Sequence, residues 1–250
     1  MTGVETSVRR RPALLPVRPA GWWFDALLLA AFAALTVALA RGAFLGADVA
    51  VADWMDAHRP APLYWVARVL NYLGQGGQVL MPVALLLTVA VGLRRRSVRP
   101  ALVFAAAFAL TYVTVGPLKL VFDRAAPASA RPDRAELLND LPPTEWDLSY
   151  PSGHVANALV WYAAIAILAS ALLRSLDRPP LSRAAYLALR AVPPAVVFCT
   201  TVYLSWHWLS DSVAGLLIGW PLARLLTRVP FDALPLPGLR DGWDRPAGLS

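Results

Sequence analysis

Six stretches of this chain are apolar and long enough to cross a lipid bilayer, and they leave little freedom in what it can become. They run over Trp22–Ala40, Val79–Leu93, Ala101–Phe122, Val155–Leu173, Tyr186–Leu204 and Asp211–Leu226. A span needs about 20 mostly apolar residues, so the second is a little short. Hydrocarbon offers the backbone no hydrogen-bond partners, so such runs become helices. The expected fold is therefore all-α, a six-span transmembrane helical bundle. Composition agrees: 58% of residues are hydrophobic and 16% charged, with a mean hydropathy of +0.52, whereas a soluble domain carries about 25% charged residues. A net charge of +7 would suit nucleic acid, but the basic residues sit between apolar runs, as membrane loops place them. No nucleic-acid partner is expected. The single cysteine, Cys199, lies in an apolar run and reads as a small packing residue.

The basic residues also orient the bundle. With the N-terminus inside, the cytoplasmic side holds Arg9, Arg10, Arg11, Arg18, Arg94, Arg95, Arg96, Arg99, Arg174, Arg178, Arg183, Arg190, Arg224, Arg228, Arg240 and Arg245. That is 16 of the 23 Lys and Arg residues, so both termini are expected in the cytoplasm of a plasma-membrane protein. Residues 1–20 read as a disordered basic tail, 21–228 as the membrane domain and 229–250 as a Pro-rich cytoplasmic tail. No small-residue cleavage pattern clearly follows the first run, which is expected to stay as a span. Between the first two spans, Ala50–Leu73 has helical spacing with Asp53, Asp56, Arg59 and Arg68, the pattern of a helix lying at the interface. Gly74–Gly77 reads as a turn, and Pro193-Pro194 as a kink in the fifth span.

Chemistry concentrates at the outer ends of the spans. Pro151-Ser152-Gly153-His154 opens the fourth. Free backbone N–H groups and the positive end of the dipole make a helix start an anion site, with His154 beside it. His207 and Asp211 are four apart, so on one helix face the carboxylate can hold Nδ1–H and leave Nε2 free. Lys119, the only lysine, lies near the outer end of the third span, five residues before Arg124. Singly, each has a plain explanation: a structural histidine, a chance i, i+4 pair, a snorkelling lysine. Together, at the ends of different spans on one side, they suggest phosphoryl transfer.

At these residues the chain resembles the type 2 phosphatidic acid phosphatase superfamily of membrane lipid phosphatases, over roughly residues 75–228. That family shows K-x6-R-P, P-S-G-H and S-R-x5-H-x3-D in order. Residues 151–154 match in full, His207 and Asp211 match the end of the third motif, and Lys119 and Pro127 match the ends of the first. The resemblance implies hydrolysis of a lipid or prenyl phosphate monoester or pyrophosphate at an extracytoplasmic site. His207 would attack phosphorus to form a phosphohistidine, Asp211 would orient it and His154 would protonate the leaving alkoxide. Lys119, the Ser152 hydroxyl and the Gly153 N–H would bind phosphate oxygens, with no cofactor or metal.

Two positions depart from the pattern. Ala126 replaces the first motif's arginine, and Thr200-Thr201 replaces the third motif's Ser-Arg. Removing such a donor from a transition state costs on the order of 2–4 kcal/mol. Arg124, Arg131 and Arg134 stand near enough in sequence to be the expected replacements, Arg124 first. Three readings stay open: a phosphatase with compensating loop arginines, a lipid phosphotransferase acting on a less charged diester, and a phospholipid-binding protein without turnover. A vanadate-dependent peroxidase, which needs these arginines, and a Ser/His intramembrane protease, which needs a different serine motif, fit less well.

Overall fold

The computed structural model describes residues 21–138, 148–236 and 242–249; the expected disordered tail over 1–20 lies outside the described residues. Apart from one β-bridge between Ser97 and Asp244, regular structure there is helical. Six helical segments are long and apolar enough to cross a membrane. They are α1 (Trp23–Ala40), a π-helical turn Gly76–Leu80 running into α4 (Met81–Arg95), α5 (Arg99–Phe122), α6 (Gly153–Ser175), α7 (Arg183–Tyr203) and α8 (Leu209–Arg228). Pro117, Pro193, Pro194 and Pro221 lie inside helices that continue through them, as bundle neighbours permit.

The expected single interfacial helix is instead two short ones, α2 (Leu45–Ala57) and α3 (Ala61–Leu70). Proline has no backbone N–H and disfavours helical geometry in the residue before it. Accordingly α2 stops at His58, and Pro60 is extended at the start of α3.

α6 is the axis of the bundle, packed by α4, α5, α7 and α8 and buried along most of its length. The other spans turn side chains such as Leu27, Leu86, Val113 and Val192 outward, the faces lipid would cover. The α6–α8 contact depends on glycine. A Cβ on Gly215 would lie 2.7 Å from the Ser152 carbonyl oxygen, and one on Gly219 would lie 2.8 Å from the Ala156 Cα. Small residues four apart let the two backbones approach, and this approach seats the start of α6 against the start of α8.

The opposite end of the bundle is tied by arginines. Asp25 accepts from Arg224 at 2.6 Å and Arg228 at 2.5 Å, joining α1 to α8. Arg99 donates to the carbonyls of Phe231, Leu234 and Asp244, and Arg174 to that of Gly248. Asp232 accepts from the Ala247 and Leu249 amides. Residues 242–249, expected as part of a tail, fold back on this basic end.

Candidate active site

At the other end, where α5 and α7 finish and α6 and α8 begin, a cavity of about 480 Å³ opens. Lys119, Ala126, Gly153, His154, Ser205, Trp206 and His207 line it, with the Gly74–Gly77 segment, Ala128, Leu148 and Asn157. After α7 the chain turns at Ser205, in the left-handed region at φ 55°. The amides of Trp206 and His207 both donate to the Thr201 carbonyl, at 3.0 and 3.3 Å. That turn presents His207 to the cavity one residue before Trp208 caps α8.

The two histidines meet. His154 Nδ1 stands 3.1 Å from His207 Nε2. On the far side of the His207 ring, Nδ1 is 3.5 Å from Asp211 Oδ2, longer than a good hydrogen bond. The carboxylate faces that ring nitrogen across the gap. Burial holds the His207 imidazole below its ordinary pKa of 6.5, and Lys119 pushes the same way, against the pull of Asp211. That shift favours the neutral ring. On the far side of the other ring, His154 Nε2 meets Gln75 Nε2 at 3.2 Å.

Asp211 is itself held from behind. Its Oδ2 accepts from the Trp208 amide at 3.0 Å, and its Oδ1 from Arg124 at 2.6 Å. Arg124 is fully buried and also donates to Asp48 Oδ2 (2.7 Å), Ser210 Oγ (2.7 Å) and the Ala135 carbonyl (2.9 Å). Asp48 in turn accepts from the Ser210 amide at 2.9 Å. The expectation that Arg124 binds substrate phosphate does not fit this placement: the guanidinium does not line the cavity, and two buried carboxylates occupy it. It supports Asp211 instead. Neither Asp48 nor Gln75 stood out in the sequence.

Lys119 donates to the Leu148 carbonyl and lies against the start of α6, where a Cβ on Gly153 would come within 3.1 Å of its Cε. Among the described residues it is the one Lys or Arg lining the cavity. Ser152 also departs from its expected role. It is fully buried, and its hydroxyl accepts from the Val155 amide at 3.4 Å, capping α6 rather than facing the cavity. Ala126 presents a methyl group to the cavity, and Thr201 is fully buried with its hydroxyl on the Val197 carbonyl at 2.8 Å. The candidate replacements lie elsewhere, Arg131 paired with Asp133 at 2.9 Å and Arg134 over the Trp208 ring.

Six apolar spans around a central helix, with two imidazoles, a buried carboxylate and a lysine at one end, define an integral membrane protein with a polar site at the bilayer edge. The model of the PAP2 superfamily matches residues 100–235, more than half the chain, and the protein belongs to that superfamily. Among solved structures, the fold is similar to that of a transmembrane PAP2-type phosphatidylglycerolphosphate phosphatase from Bacillus subtilis. The TM-score is 0.63 at 21% identity, over 81% of this chain and 93% of that one. A comparison with curated protein sequences gives no match.

Proposed function

We propose that the protein hydrolyses a lipid or prenyl phosphate monoester or pyrophosphate at the extracytoplasmic face of the plasma membrane, through a phosphohistidine on His207. The observation that carries this reading is the pair His154 Nδ1–His207 Nε2 at 3.1 Å, facing the same cavity as Lys119. The concentration of arginines at the opposite end of the bundle supports the sidedness.

Phosphorus must come within about 3–3.5 Å of Nε2, in line. His154 now occupies that approach, so substrate entry parts the two rings. The Nε2 lone pair then forms the P–N bond while the P–O bond to the lipid alkoxide breaks. His154, entering as the imidazolium, gives its Nδ1 proton to the departing oxygen and becomes neutral. Asp211 balances the charge that develops on His207, and Lys119 with the first amides of α6 balances the phosphoryl oxygens. In the second step neutral His154 takes a proton from water, whose oxygen attacks phosphorus as the P–N bond breaks. The charge comes from the chain's own groups, so no metal is required.

Detergent-purified protein should release inorganic phosphate from a lipid monophosphate or prenyl diphosphate in EDTA, and His207→Ala should abolish release. Release that survives in the His154→Ala/His207→Ala double variant would overturn the site assignment. One observation favours a second reading. With Lys119 the one Lys or Arg lining the cavity among the described residues, a singly charged diester is better matched than a dianion, and its headgroup would pass to an alcohol. Headgroup exchange without phosphate release would select that reading.

A further inference from the structure

We propose that Gln75 is a positioning residue whose side-chain amide holds the His154 ring through both of the protonation states it passes through in each turnover. The inference rests on the reading of His154 as the acid and then the base of a phosphohistidine cycle.

Charge and hydrogen-bond polarity at the resting site leave one consistent arrangement. Asp211, paired with Arg124 at 2.6 Å, faces His207 Nδ1, so that nitrogen carries the ring's proton and Nε2 is bare. A bare Nε2 at 3.1 Å requires a proton on His154 Nδ1. The neutral His154 then presents a bare Nε2 to Gln75, and the amide Nε2–H that faces it at 3.2 Å is the donor it needs. Turning the amide over would set two lone pairs against each other.

The catalytic form is different. As the imidazolium, His154 carries a proton on Nε2 as well, and its neighbour must now accept. A glutamine does this by rotating its amide so that Oε1 faces the ring, because one side chain carries both a donor and an acceptor. Glutamate offers only acceptors at neutral pH, and an apolar side chain offers neither. The backbone around Gln75 is built to bring it this close. A Cβ on Gly74 would lie 2.6 Å from Val197 Cγ1 and 3.3 Å from the His154 Cβ, and one on Gly76 would lie 2.9 Å from Asn157 Nδ2. The following π-helical turn, Gly76–Leu80, is a geometry that recurs at functional sites.

The test uses the full-length protein in detergent with two probes, decyl phosphate and p-nitrophenyl phosphate. The alkoxide needs a proton to leave, whereas the nitrophenolate does not. Gln75→Met, similar in length but without donor or acceptor, is expected to lower kcat/KM on decyl phosphate about tenfold and kcat/KM on p-nitrophenyl phosphate by a clearly smaller factor, because that ratio covers only the steps up to loss of the leaving group. Gln75→Glu is expected to move the alkaline limb of the decyl phosphate profile up by about one pH unit or more, because a carboxylate beside Nε2 favours the charged ring. In a His154→Ala background neither substitution should change the rate further. Equal losses on both probes, an unmoved alkaline limb, additive losses without His154, or failure of both variants to fold would overturn the proposal. Turnover of either probe by His207→Ala would instead overturn the underlying reading of the site.

Discussion

Replacing Arg124 with methionine separates a supporting role from direct contact with substrate. The guanidinium is fully buried and is the cation shared by Asp48 and Asp211, at 2.7 and 2.6 Å. Methionine fills similar space but leaves both carboxylates buried without a countercharge. Removing one partner of a buried pair costs about 3–5 kcal/mol, a large part of a stability that is typically about 5–15 kcal/mol. Arg124→Met should therefore unfold at markedly lower temperature in detergent, with less folded protein recovered. Adding Asp48→Asn removes one of the two stranded charges and should recover part of the loss. In the fraction that folds, Asp211 is less firmly placed, so kcat should fall more than KM rises. Normal melting combined with a large rise in KM for the lipid phosphate would refute this reasoning and return Arg124 to the phosphate.

Three further outcomes follow from the same geometry. Ala126→Arg restores a guanidinium at the cavity wall and should raise kcat/KM on a lipid monophosphate at least about tenfold, given that such donors contribute 10²–10³; no gain would mean that position 126 does not face the phosphate. Gly215→Ala forces a Cβ to within 2.7 Å of the Ser152 carbonyl oxygen, and should cost about 1–3 kcal/mol and lower kcat by moving His154 relative to His207, measured by melting and steady-state rates. In the proposed cycle His207 reacts as the free base, and burial lowers its pKa, so activity should be lost only as pH falls through a midpoint below the ordinary 6.5; an acid limb centred above that value would contradict the burial of the ring.

The spans were legible because hydrocarbon imposes length and composition on each helix separately. The third expected span, Ala101–Phe122, became Arg99–Phe122, and the sixth, Asp211–Leu226, became Leu209–Arg228. His154, His207 and Asp211 were legible because each sits at the edge of such a run. The support behind them was not. Asp48 meets Arg124 across 76 residues, and Gln75 meets His154 across 79, with no local spacing to signal either contact. The position of Arg124 is hidden for a related reason. Five residues after Lys119 it looked like part of one site, but Asp123, in the left-handed region at φ 30°, ends α5, and beyond it Arg124 is drawn between Asp48 and Asp211. The Ser152 hydroxyl is used to start α6, a capping role that the Pro-Ser-Gly-His run does not distinguish from a ligand's. The break between α2 and α3 falls at Pro60, with apolar helical spacing on either side of it.

The direct measurement is to trap the intermediate. Purified protein mixed with a ³²P-labelled lipid monophosphate and quenched in alkali should carry label on the chain that is stable to base, lost in acid, and mapped by mass spectrometry to His207. The account predicts this label in the wild type and its absence in His207→Ala. Turnover without any labelled protein, or label that persists in His207→Ala, would contradict it.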